Sequence, residues 1–375
     1  MSAVRTGTGW RGSAGLAVPL AAFALATALR LAGLRLNSFG GMVEVLLSLG
    51  VVVLVFATVF AVVGHAEAIA HRIGEPFGTL VLTLAVTAIE ASVIVSVMSH
   101  GHNDNPTLAR ESVFSTVMIV TCGIIGVCLT LGGLRHRHQD LKRQGTNAFL
   151  GVLIALAVLT LVLPNFTLAT GLQGAFTPLQ LGFVSMISLL LYAAFVFTQM
   201  TRHRDDFIED HPHMVEEEGH RPVGGMLASA VLLLLGLVGI VLLTEMVAAG
   251  IEDALHNNHF IQTDAIVGAF IASLVLMPEG VSAIKAARNN ELQRSLNIAL
   301  GSACATIGLT IPVVGAASLL LGKDISLGLG AGDTVLLILA LSVSTVSFST
   351  GRTTVLTGLV HLVVFVAFLF LIAFP

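Results

Sequence analysis

The sequence predicts an all-α polytopic membrane protein of eleven transmembrane helices, one N-terminal helix followed by two inverted five-helix repeats. Three observations predict it. Of the 375 residues, 55% are hydrophobic and 11% are charged, and mean hydropathy is +0.94. A soluble domain usually carries about 25% charge, so the bilayer has to be the solvent for most of this chain. The apolar residues gather in runs of about 20, the length at which a helix rising 1.5 Å per residue crosses a core of about 30 Å. An acidic segment splits ten of these runs into five and five, and an odd-numbered unit repeated in one chain lies in opposite orientations across the membrane.

The runs cover residues 13–34, 39–63, 74–98, 112–134, 147–169, 179–199, 223–249, 263–286, 295–321, 330–348 and 354–374. The first has basic flanks (Arg5, Arg11) and no acid precedes Glu44, as in a secretory signal or presequence. Its apolar stretch is nonetheless long enough to span, and it reads as an uncleaved helix. The domain reading is 1–36 for that helix, 37–200 for the first repeat, 201–222 for a cytoplasmic acidic loop, and 223–375 for the second repeat.

Orientation follows from lysine and arginine. The N-terminus and the connections after the even-numbered spans hold fourteen of the 18 basic residues, and the opposite side holds four. The expectation is a multi-pass protein of a bacterial inner membrane, N-terminus cytoplasmic and C-terminus periplasmic or extracellular. The lipid bilayer is then a partner, and the sequence is compatible with a homo-oligomer. A net charge of −4 shows no basic excess for nucleic acid. Cys122, Cys128 and Cys304 lie in apolar runs without metal-site spacing and read as small apolar residues.

The acidic loop carries Asp205, Asp206, Glu209, Asp210, Glu216, Glu217 and Glu218. It reads as a solvated linker, or as a regulatory segment that gathers cations. The halves it separates share weak letters. Residues 67–75 and 245–253 begin and end in acids, and Ala70 and Ile73 match Ala248 and Ile251. Each stretch leads into a helix with one mid-membrane acid, Glu90 or Glu279.

These two glutamates are the expected centre of the site. A carboxylate near mid-bilayer costs several kcal/mol unless paired, hydrated or protonated, and neither has a basic residue close by on its own helix. Thr79, Thr83, Thr87 and Glu90 recur at spacings of 4, 4 and 3, which puts them on one helix face. Pro278, beside Glu279, frees the carbonyl of Leu274 as a cation ligand. Ser282 follows one turn on, and Asn297 and Ser302 are auxiliary ligand candidates, with Ser112, Ser115 and Thr121 as weaker ones. His65, Glu67 and His71 lack the spacing of a metalloprotease motif, so no enzyme is expected, and no cofactor.

Several stretches resemble a known family. Residues 75–90, Glu-Pro-Phe-Gly-Thr-Leu-Val-Leu-Thr-Leu-Ala-Val-Thr-Ala-Ile-Glu, resemble the first α-repeat of bacterial calcium/proton antiporters of the calcium/cation antiporter superfamily. Pro278-Glu-Gly-Val-Ser-Ala-Ile-Lys-Ala-Ala-Arg288, Ser295-Leu-Asn-Ile-Ala-Leu-Gly-Ser302 and Ile311-Pro312 resemble the second, and residues 350–358 resemble the signature before the last helix. The motifs fall at 74–99 and 264–312. The resemblance implies a cation- and proton-binding carboxylate in each repeat, at Glu90 and Glu279, and transport of inorganic cations and protons by alternating access. Eukaryotic vacuolar members carry Gly-Asn three to four residues before each acid, where this chain has Val86-Thr87 and Val275-Leu276.

The expected activity is therefore Ca2+/H+ exchange that extrudes cytoplasmic cation. Na+(K+)/H+ antiport is the alternative, and a Na+/Ca2+ exchanger or a passive channel stands further off. Two facing carboxylates carry −2, which one Ca2+ or two protons neutralise. Emptying such a site leaves desolvated charge, which is the expected origin of coupling.

Overall fold

The computed structural model describes residues 9–33, 41–73, 77–100, 106–167, 174–202, 206–207, 225–257 and 263–374. Among these, eleven helices follow in order: α1 Gly9–Leu31, α2 Gly41–Ile73, α3 Phe77–His100, α4 Leu108–His136, α5 Arg143–Phe166, α6 Pro178–Met200, α7 Met226–Asn257, α8 Thr263–Arg288, α9 Leu292–Leu321, α10 Ala331–Ser349 and α11 Val355–Ala373. Nine are long and apolar enough to cross a membrane among the described residues, and α1 and α3 hold shorter apolar stretches, Gly15–Leu31 and Thr83–Ser99. The protein is an all-α polytopic membrane protein.

Two ends differ from expectation. α2 reaches Ile73 and α7 reaches Asn257, not 63 and 249. Acids such as Glu67 and Glu252 end a hydropathic run, but glutamate is a good helix former and leaves the backbone ladder intact. These acids therefore stand on helices.

The chain forms two compact units, residues 1–102 with 215–254, and residues 103–214 with 255–375. Each expected half contributes helices to both units.

In the first unit, α1 is tied to α2 through a proline. Pro19 has no N–H, so the carbonyl of Gly15 loses its donor within α1. His65 of α2, itself buried, donates from Nε2 to that carbonyl at 3.0 Å. α7 meets these helices through Gly236 and Gly239. A Cβ at Gly236 would stand 2.3 Å from Val62 Cγ2, and one at Gly239 would stand 2.9 Å from the backbone N of Phe23.

In the second unit the connections sort by parity. After α4, Gln139–Asp140 (β1) pairs antiparallel with Arg352–Thr353 (β2), which follows α10. Gln139 Nε2 donates to Ala287 O at the end of α8, and Asn297 Nδ2 of α9 donates to Phe207 O, after α6. The other connections meet elsewhere. Ser326 N, after α9, donates to Pro106 O, before α4, and Gly328 N donates to Gly174 O, after α5. Even-numbered connections thus share one end of the unit and odd-numbered connections the other, as alternating crossings require.

Glycines set the spacing of α4. Gly268 of α8 faces Ser112, and Gly280 of α8 faces Ile124. The pairs advance together, so α4 and α8 run parallel. Against α11 the order reverses, with Gly123 at Phe365, Gly126 at Leu362 and Gly133 at Val355. These helices are antiparallel, in close contact through small residues, as membrane packing favours.

Three spans contain π-helical segments: Ile119–Ile124 in α4, Val158–Val162 in α5 and Thr306–Thr310 in α9. The last two stand just before Pro164 and Pro312, whose missing N–H groups interrupt the ladder four residues earlier.

Candidate cation site

Glu90 lies in the interior of α3 in the first unit, 3% exposed, and Thr87 beside it on the same face is also buried. Thr83 is half-buried, while the side chain of Thr79 lies outside the described residues. Further along α3, Ser96 Oγ donates to Glu245 Oε2 of α7 at 2.7 Å, and Arg30 Nη1 of α1 stands 3.8 Å from the same oxygen.

Glu279 lies in the interior of α8 in the second unit and is partly exposed. Ser302 Oγ of α9 donates to Glu279 Oε2. That bond is informative because most hydroxyls in these helices turn back on their own backbone. Thr58, Thr121, Thr130, Thr160 and Ser344 each donate to the carbonyl four residues earlier. This satisfies a hydroxyl in an apolar medium without any neighbour. Ser302 instead addresses a carboxylate on another helix.

Two local features shape the surroundings of Glu279. Pro278, buried inside α8, removes the donor from the carbonyl of Leu274. The parallel register of α8 with α4 places Glu279 one residue before the Gly280–Ile124 contact, at the level of the π segment Ile119–Ile124. Such segments are frequent at functional sites because they free backbone groups. The hydroxyls of Ser112 and Ser115, earlier in α4, are buried and have no hydrogen-bond partner among the described residues.

The remaining candidates fall in different places. Ser282 is exposed. Asn297 uses its amide on scaffolding: Nδ2 donates to Phe207 O at 2.5 Å, and Oδ1 accepts from Gln293 Nε2 at 2.9 Å. Asp206 stands with Phe207, which is buried between Phe149 and Phe195. Asp205, Glu209, Asp210, Glu216, Glu217 and Glu218 lie outside the described residues. Cys122, Cys128 and Cys304 are free and buried.

The profile of the family described as sodium/calcium exchanger protein matches residues 43–201 and 228–374. The chain belongs to the sodium/calcium exchanger protein family. The membership expected from the motif residues is borne out, within the calcium/cation antiporter superfamily. Protein y4hA of Sinorhizobium fredii is 45% identical over 322 residues, covering 86% of this chain and 87% of its own. The sodium-potassium/proton antiporter ChaA of Escherichia coli is 36% identical over 323 residues, covering 84% of this chain and 85% of its own. Among solved structures, native YfkE, a Ca2+/H+ antiporter, superposes with a TM-score of 0.70 at 15% identity, over 96% of this chain and 100% of its own, which shows the shared fold. Glu90 falls in the first stretch matched by the exchanger family and Glu279 in the second, whereas α1 precedes both.

Sequence reasoning did not single out several polar groups in this exchanger-family chain. His361 of α11 is fully buried, with Nδ1 donating to Thr121 O at 2.7 Å and Nε2 accepting from Ser347 Oγ at 3.0 Å. A lone histidine in an apolar span is visible in sequence, but its partner depends on the π segment of α4. Arg110 is another, bonded to Glu111 Oε1 at 2.8 Å and to Gly328 O at 2.7 Å.

Proposed function

We propose that the protein is a secondary active cation/proton antiporter in which Glu90 and Glu279 bind the transported cation and, in turn, protons. The observation that carries this reading is Glu279, a carboxylate inside a membrane helix beside Pro278, whose oxygen accepts from Ser302 of a second helix. An acid kept inside a spanning helix is a functional-site hypothesis by default, because such residues mark ion pathways and proton relays. The two relatives named as proton antiporters support the same class.

The charge arithmetic suits Ca2+. Two carboxylates are neutralised by one Ca2+ or by two protons, so each loaded form is cheaper to carry across a low-dielectric region than the empty one. Ca2+ takes six to eight oxygens. Two carboxylates supply at most four, leaving the hydroxyls of Thr83, Thr87, Ser282 and Ser302 and the Leu274 carbonyl as further donors. A second reading, Na+ or K+ against H+, is favoured by Val86-Thr87 and Val275-Leu276 in place of Gly-Asn, and by the relative from Escherichia coli. The basic bias of the even-numbered connections supports a cytoplasmic N-terminus, residence in a bacterial inner membrane, and extrusion of cytoplasmic cation.

The test is an everted-vesicle assay with an imposed proton gradient. Ca2+, Na+ or K+ should dissipate the gradient with the parent protein and fail to do so with Glu90→Gln or Glu279→Gln. Full activity in either variant ends this reading. Cation flux that leaves the proton gradient intact identifies a channel or a Na+/Ca2+ exchanger.

A further inference from the structure

The ends of α4 and α8 border an open cleft of about 450 Å³ lined by Arg135, Val281, Ile284, Lys285, Arg288 and Asn289. Its size lies in the range of small-molecule pockets, about 300–1,000 Å³. The two helices run parallel and are closed at this end by His136 Nε2 donating to Arg288 O at 3.0 Å. Three cations from two helices thus converge on one concavity. Among the described residues none of the three has a carboxylate partner; the nearby acid Glu291 is paired with Arg294 at 3.2 Å.

Basic residues in the last turn of a helix complement its dipole wherever they point. That role does not require a cavity, nor convergence between helices. The cavity is also amphipathic in a defined direction. Arg135, Lys285 and Arg288 stand at the final turns of their spans; Val281 lies about one turn deeper than Lys285, and Ile284 about one turn deeper than Arg288. Val281 is 50% exposed. Cationic groups at the membrane boundary with an apolar floor below them match a phosphodiester headgroup whose chains continue into the bilayer. Arginine forks bind phosphate oxygens in pairs, and basic pockets between transmembrane helices hold anionic headgroups.

We propose that this cavity is a binding site for an anionic membrane phospholipid, its phosphate held by Arg135, Lys285 and Arg288 and its upper chain carbons against Val281 and Ile284. The inference is independent of which leaflet the site faces and of the transported ion. Lys285 is six residues from Glu279, about 9 Å along the helix. A bound phosphate therefore lowers the positive potential along α8 on the approach to that carboxylate.

The experiment is native mass spectrometry of the full chain in neutral detergent, incubated with phosphatidylglycerol, phosphatidylcholine or inorganic phosphate. Phosphatidylglycerol should be retained in preference to phosphatidylcholine, and inorganic phosphate should not displace it. The triple variant Arg135→Gln, Lys285→Gln, Arg288→Gln should retain about a hundredfold less, and the charge-keeping variant Arg135→Lys, Lys285→Arg, Arg288→Lys should retain it. Equal retention by the triple variant overturns the proposal, as does equal binding of the zwitterionic lipid. Displacement by inorganic phosphate overturns it as well, because the site then takes the free anion. If the triple variant does not fold, Lys285→Gln alone decides through a partial loss or none. No arm measures transport, so failure here and failure of the antiport reading are separable.

Discussion

Ser302 of α9 donates its hydroxyl hydrogen to Oε2 of Glu279 in α8, and so addresses a neighbouring helix where most hydroxyls in these spans bond to their own. A hydrogen bond to a charged group contributes about 1.5–3 kcal/mol, and partial exposure of Glu279 places this one at the lower end. Ser302→Ala should therefore raise the KM for cation about tenfold in vesicle transport, while Ser302→Thr keeps it near the parent value. An unchanged KM in the alanine variant removes Ser302 from the site.

Asn297 makes the opposite case. Its amide is committed to Phe207 O and Gln293 Nε2. Asn297→Ala should lower thermal stability by about 1–3 kcal/mol, the cost of orphaned polar groups, and leave the cation KM within about twofold. The buried thiols Cys122, Cys128 and Cys304 offer the readout, since a thiol-reactive dye labels them on unfolding. A large KM change at unaltered stability would instead mark Asn297 as a cation ligand.

The pair Pro19 and His65 predicts a thermodynamic cycle. His65→Ala strips the donor from the Gly15 carbonyl and should speed amide hydrogen exchange across α1. Pro19→Ala restores a helical N–H to that carbonyl. In the Pro19→Ala background, His65→Ala should cost less than it does alone, and strictly additive effects would show that the bond does not hold α1.

Gly268 and Gly280 predict a contrast on one helix. A Cβ at Gly268 would stand 2.7 Å from the backbone N of Ser112, whereas at Gly280 the nearest atom is Ile124 Cδ1 at 3.2 Å. Backbone cannot yield as a side-chain tip can. Gly268→Ala should destabilise by about 1–3 kcal/mol and Gly280→Ala by clearly less, in the same thiol-labelling melt.

Much of the fold was legible because hydropathy adds along the chain. The span expected at 330–348 and the helix Ala331–Ser349 nearly coincide, and every expected run corresponds to a helix. The same additive signal failed at Glu67 and Glu252, because a charged side chain leaves the hydrocarbon long before the backbone stops being helical. The π segment of α4 was not legible, having no proline to announce it. Of the candidate site residues, Glu90 and Glu279 stood out through cost alone. Asn297 and Ser302 stood out only as auxiliary ligand candidates, and the partners of these two and of His361 were not legible, since each comes from a segment far away in the chain or from another helix.

The sequence by itself determined where the chain crosses the bilayer, which acids it keeps inside, and the family to which it belongs. Each is a property of residue type and local order: transfer free energy is summed residue by residue, and a mid-span carboxylate is costly whatever surrounds it. Only the tertiary structure decided which hydroxyl reaches Glu279, which histidine meets a proline-freed carbonyl, and which three cations line one cavity. Those outcomes depend on the register and direction of neighbouring helices, set here by close glycine contacts between segments far apart in the chain.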